Sequence, residues 1–273
     1  MDESIVTRSA RLAALLLALS AAPLLAQGTP MAGSVTTYLE KNAQPGDEDV
    51  LRLPVMFAFD LGSPRTSQFL VEPSAGWHSV GGTTDASGFS YTRLRGYHYF
   101  GGHNRFTWGP DVEIFLKTES DVQLGFGTNI IMPGFNLGYR LSPRWKVNLR
   151  TRFEFTGGED PGVASRKRIT FRPTLFFPPV GRFSSWIRSD FTTDLENGSK
   201  RYNVEANATL KVDPHQRLAV VVWPRIYLGE TTRASNLWRL RAGLQWSLGS
   251  VMVGHGTHTN DLRALPEARD DQE

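Results

Sequence analysis

Three features of this 273-residue chain point to an all-β fold. Apolar and polar residues alternate with period two over segments of about 8–14 residues, and helical periodicity is weak throughout. Short proline-containing turns also alternate with longer glycine-rich or charged links. Together these predict an up-and-down antiparallel meander of about twelve strands. Composition agrees: 26 glycines and 11% aromatic residues suit sheet with many turns. With 40% hydrophobic and 21% charged residues and a mean hydropathy of −0.29, the chain is too polar for a bundle of membrane helices and too apolar to be disordered. The absence of cysteine excludes disulfide frameworks, cysteine metal sites and thiol catalysis. A net charge of +3, with acids and bases interspersed, gives no reason to expect nucleic acid as a partner.

The first residues read as an address. Arg8 and Arg11 precede an apolar run from Leu12 to Leu25, and Ala26 offers a small residue for cleavage. The run is about 14 residues long and broken by Pro23, whereas a spanning helix needs about 20. The expected organisation is a cleaved signal peptide (1–26), a flexible N-terminal segment (27–48), a barrel (49–248) and a charged, disordered periplasmic tail (249–273).

Strands are expected at 49–60, 67–78, 88–99, 106–117, 121–131, 134–141, 145–156, 167–177, 183–195, 200–211, 217–229 and 235–248. In 145–156, Trp145, Val147, Leu149, Thr151, Phe153 and Phe155 share one face, opposite Lys146, Asn148, Arg150, Arg152 and Glu154. In 200–211, Tyr202, Val204, Ala206, Ala208 and Leu210 oppose Arg201, Asn203, Glu205, Asn207 and Lys211. The last segment sets Trp238, Leu240, Ala242, Leu244, Trp246 and Leu248 against Arg239, Arg241, Gly243, Gln245 and Ser247. Segment 88–99 alternates poorly, with Phe89, Tyr91 and Leu94 out of phase. Met132-Pro133-Gly134 leaves open whether 121–141 is one long bent strand. Tight turns fall at 141–144, 178–181 and 212–215; looser links fall at 157–166, 196–199 and 230–234.

A meander with one apolar and one charged face either hides the apolar face in a soluble barrel or turns it outward to lipid. Strand lengths near ten suit a tilted membrane-spanning strand and exceed the usual five or six of soluble sheets. Aromatics collect at strand ends: Tyr139, Trp145, Phe177, Phe183 and Trp246 beside tight turns, and Phe155, Phe191 and Trp238 beside the other links. Such girdles match two lipid–water interfaces. Charge on the polar face at mid-strand requires a hydrated lumen, which about twelve strands can enclose. The expectation is a transmembrane β-barrel.

The last strand reads Arg241-Ala-Gly243-Leu-Gln-Trp246-Ser-Leu248. It resembles the C-terminal assembly signal of bacterial outer-membrane β-barrel proteins: polar residue, x, glycine, x, x, aromatic, x, hydrophobic. That resemblance implies outer-membrane lipid and the barrel-assembly machinery as partners. The family usually ends at the hydrophobic residue, whereas here residues 249–273 follow. Over 49–248 the chain also loosely resembles exported barrels grouped as transporters or as the MetA-pathway phenol-degradation family, which implies passive transport in a Gram-negative, porin-like setting.

Inward residues tune selectivity in such a pore. Arg150, Arg152, Arg172, Arg188, Arg225, Arg239 and Arg241 fall at similar height, with Glu154, Asp190 and Glu205 as inward acids. Guanidinium groups can hold carboxylates or phosphates in bidentate fashion, so a channel for small anionic or polar solutes is expected, without a cofactor. The alternative is an ionic network that plugs and stiffens a closed barrel. Glu72, Asp111 and Glu113 on earlier strands could compensate the basic wall. No nucleotide loop, G-x-S-x-G or H-E-x-x-H is present. His255 and His258 have an H-x-x-H spacing but no further clear ligand, so no metal is expected. A rival reading is a lipid-modifying enzyme built on His98 with Ser90 or Asp111.

Overall fold

A computed structural model describes residues 32–44, 48–61, 67–101, 105–213, 215, 217–228 and 237–248. The expected signal peptide, the tail 249–273 and the pair His255 and His258 lie outside them. The first six strands are β1 (Ala32–Gln44), β2 (Glu48–Leu61), β3 (Ser67–Val80), β4 (Thr83–His98), β5 (Phe100–Gly101) and β6 (Phe106–Leu116). They are followed by β7 (Asn129–Arg140), β8 (Lys146–Gly157), β9 (Lys167–Phe176) and β10 (Phe183–Asp194). β11 (Lys200–Lys211), β12 (Leu218–Leu228) and β13 (Trp238–Leu248) complete the sheet.

Neighbours in sequence pair antiparallel, and the sheet closes on itself where β1 pairs with β13. Eleven residue pairs make that seam, from Gly33 with Leu248 to Ala43 with Trp238. β5 continues β4 past Tyr99 and keeps pairing with β6, so the wall has twelve staves. Closure satisfies the backbone N–H and C=O groups of both terminal strands, which in lipid would each be costly to leave open. The start of β1 and the end of β13 lie at the same end of the barrel as the β7–β8 and β9–β10 turns; the loops 117–128 and 158–166 lie at the other end, with the two-residue turn between β3 and β4.

Twelve staves agree with the sequence, but β1 is an unexpected segment and two expected strands merge into one. The stretch 27–48, expected to be flexible, contains β1, paired on both sides. Its residues Ala32 to Gln44 carry little apolar alternation, so the strand is specified by its two neighbours rather than by its own pattern. Conversely 121–131 and 134–141 supply one strand, β7. Residues 117–128 instead form a loop with a short 3-10 turn at Val122–Leu124. The loop turns into the barrel: the Ser120 amide donates to the Phe89 carbonyl at 3.0 Å, and the Thr118 hydroxyl donates to the Ser90 carbonyl at 2.8 Å. Gly88 makes room for it, since a side chain there would meet Ser120.

The irregular pattern of 88–99 has a physical cause. The β3–β4 register shifts between Pro73 and Ala75, and at this bulge Ser90 and Tyr91 both face inward. On β8, β10 and β13 alternation holds. Leu149, Phe153, Ile187 and Leu244 are each more than a third exposed on the outer face, while their neighbours Arg150, Arg152, Arg188 and Gln245 are buried inside. The expected girdle aromatics, Tyr139, Trp145, Phe177, Phe183, Trp246, Phe155, Phe191 and Trp238, are all exposed on the outside.

Candidate functional site

The inward polar residues meet at mid-height in ion-pair ladders. Arg188, Glu205, Arg225 and Arg239 are successive cross-strand partners over β10 to β13. The single Glu205 carboxylate serves Arg188, Arg225 and, at 3.3 Å, Arg239. Asp190 pairs with Arg172 and lies 4.0 Å from Arg225. Arg172 is itself the cross-strand partner of Arg150.

The other wall supplies more carboxylates. Asp111 accepts from Arg95 Nε at 2.9 Å and from Arg150 Nε at 2.7 Å. Glu113 accepts from Arg150 Nη2 at 3.1 Å and also from Arg152. Glu72 lies 3.0 Å from Arg93 and 3.6 Å from Arg241. Glu40 takes Arg241, Arg52 Nη1 at 3.2 Å and the Asn42 amide at 2.7 Å. Thus Glu72, Asp111 and Glu113 do reach the basic wall. Glu154 does not join this level: it pairs with Arg168 at 3.4 Å, nearer the loop end, where Asp194 is 3.3 Å from the same guanidinium.

These groups surround a cavity of about 230 Å³. Ten of its lining residues are arginines, against two carboxylates, Glu40 and Glu113. Glu72, Asp111, Asp190 and Glu205 stand behind the guanidinium layer and do not line it. The cavity surface is therefore far more cationic than the wall as a whole. Tyr91, Phe115, Phe126, Trp223 and Tyr227 supply the aromatic part of the lining.

Toward the terminus end four inward apolar side chains pack into one layer. Tyr38, Met56, Leu70 and Val221 are at most 1% exposed and touch one another. Trp223 sits on this layer, its ring centroid 6.4 Å from Tyr38 and 5.5 Å from Trp186. Guanidinium carbons of Arg188, Arg239 and Arg241 lie 5.3, 5.7 and 5.2 Å from its ring centroid, within cation–π range. Toward the loop end, Leu124 of the inward loop is fully buried. Its carbonyl accepts from the Ser90 hydroxyl and from Arg52 Nη2 at 3.4 Å. Phe126 stacks on Tyr91 with centroids 4.9 Å apart.

All seven sequence-derived arginines, with Asp190 and Glu205, thus face this cavity or its supporting layer. Sequence reasoning missed Glu40, Arg52, Arg93, Arg95 and Trp223. Glu40 fell in the segment read as flexible. Arg93 and Arg95 carried a usable signal, two bases at alternate positions, masked by the bulge beside them. The candidate enzyme constellation is not assembled: His98 Nδ1 is 2.6 Å from the Ser67 hydroxyl, Ser90 is engaged with Leu124, and Asp111 is held by two arginines. Among the described residues no cluster of three or more metal-ligating side chains occurs.

No protein-family model matches the chain, and no curated protein matches it. Solved structures do. An outer-membrane channel from Pseudomonas putida F1 superposes with a TM-score of 0.59 at 13% identity, covering 80% of this chain and 95% of that one. The NanC porin gives 0.56 at 9% identity, over 80% and 100%. The KdgM porin gives 0.52 at 13%, over 79% and 99%. The fold is that of a bacterial outer-membrane β-barrel. In this barrel the residues of the assembly-signal pattern, Arg241, Gly243, Trp246 and Leu248, lie on β13 at the closing seam. Gly243 pairs with Tyr38, and a Cβ there would press on the β1 backbone. Trp246 points outward, 55% exposed, where an aromatic anchor meets the interface.

Proposed function

We propose that the chain is an exported outer-membrane channel for passive transport of small anionic or polar solutes. The observation that carries this reading is the mid-lumen cavity lined by ten arginines and two carboxylates. A cationic, partly dehydrated constriction lowers the barrier for anions and raises it for cations. The barrels of like fold are named porins or an outer-membrane channel, which is in keeping with passage. Refolded protein in a planar bilayer under a salt gradient tests it. The expected result is stepwise current with an anion-selective reversal potential. Arg172→Ser with Arg188→Ser should move that potential toward zero.

A second reading is favoured by the packing. Arg150 and Arg241 are only 1–2% exposed, and the four apolar side chains below them are buried too. In that reading the network stiffens a closed barrel. Insertion without conductance at any voltage would select it over the first.

A further inference from the structure

The pairing scheme leaves the lumen with more guanidinium than it can neutralise. Among the described residues at this level, ten arginines share six carboxylates, so Glu205 and Glu113 each serve three. Burying a cation without a matched anion is costly, and crowding three guanidiniums on one carboxylate relieves only part of that cost. Donors are also left over. Arg152 Nε, Arg188 Nη1 and Arg239 Nε are buried with no hydrogen-bond acceptor, although all three residues line the same cavity.

The cavity holds about 230 Å³, far more than the ~10–15 Å³ that one water requires. It is smaller than the roughly 300 Å³ where pockets for drug-sized ligands begin. Its lining combines spare fork-shaped donors with aromatic faces such as Trp223 and Tyr91, and such forks match planar carboxylates. We infer that the chamber is a stoichiometric binding site for one small organic polyanion with two or more carboxylate groups, held by Arg152, Arg188 and Arg239 above Trp223. This rests on the reading of the lumen as an anion path and names its resident class. A polyvalent ligand answers several spare cations at once, whereas a monocarboxylate answers one and leaves the others unmatched. The bound anion also links the β8, β10 and β13 walls, so occupancy stabilises the barrel by mass action.

Citrate is the probe. Titration calorimetry of the refolded full chain in detergent should show one citrate per chain, with a raised unfolding temperature. Acetate at equal carboxylate concentration should give neither. Arg188→Gln and Arg239→Gln should each weaken citrate at least tenfold, while the outward Leu149→Ala should leave it unchanged. If a glutamine variant does not refold, Arg152→Lys keeps the charge but loses the fork, and should weaken citrate too. Absence of heat and thermal shift at millimolar citrate, equal response to acetate, or binding insensitive to the variants that refold would overturn the inference. Bilayer recordings separate the two readings. An anion-selective current from protein that ignores citrate sinks the site alone; tight citrate binding by a barrel that never conducts sinks the channel and keeps the site.

Discussion

The two levels of the lumen solve opposite physical problems. At the arginine level, stability depends on which charge meets which, and every carboxylate is shared. One step toward the termini, the layer of Tyr38, Met56, Leu70 and Val221 depends chiefly on volume and contact. Trp223 belongs to both, its ring resting on the apolar layer and flanked by three guanidiniums. The contrast teaches that a barrel interior can be narrowed in two ways, one responsive to ions and the other to size.

The largest expected effect falls on the ionic level. Glu205→Gln strips the shared anion from three buried arginines and should lower unfolding stability by about 3–5 kcal/mol in a denaturant titration. If the loss were near zero, the guanidiniums would be hydrated rather than buried, and the contrast between levels would collapse. Next comes the apolar level. Trp223→Ala opens a void in the layer and should cost about 3 kcal/mol. In bilayers it should also raise single-channel conductance, because the dry constriction widens. Unchanged conductance would place the narrowest point at the inward loop 117–128 instead.

A third variant sharpens inside against outside. Leu244→Arg puts a cation at mid-strand on the lipid-facing side of β13 and should cost about 2–3 kcal/mol in a vesicle folding equilibrium. An inconsequential change would argue that this face is covered by protein. The smallest effect belongs to Arg188→Gln. Cations exceed carboxylates, so its removal should change ligand-free stability by no more than about 1 kcal/mol, far less than Glu205→Gln. A loss as large as that of Glu205→Gln would mean that the pairing is balanced and no spare charge exists.

Much of this architecture was legible in residue order. Strands such as 145–156 and 200–211 announce both period and facing, because lipid and a polar lumen impose opposite demands on alternate residues. The arginines on β8 to β13 could be placed inward for the same reason. β1 could not be read: Ala32 to Gln44 alternates weakly, and its place follows from the need of β2 and β13 for a partner. The loop 117–128 mimics a strand in sequence, since Val122, Leu124 and Phe126 fall at alternate positions. Leu124 and Phe126 belong to a chain that turns into the lumen.

Local chemistry therefore determined the β character, the tight turns at 141–144 and 178–181, and the outward face. Each rests on neighbours in sequence and the solvent they meet. Folding in three dimensions decided the closing seam and the inward loop. It also decided that Glu40, Glu72, Asp111 and Glu113 cross to the arginines of distant strands. Those outcomes depend on register and barrel closure, which bring Glu40 and Arg241 together across 201 residues of chain. Which guanidiniums stay short of a partner is likewise settled only when the last strand meets the first.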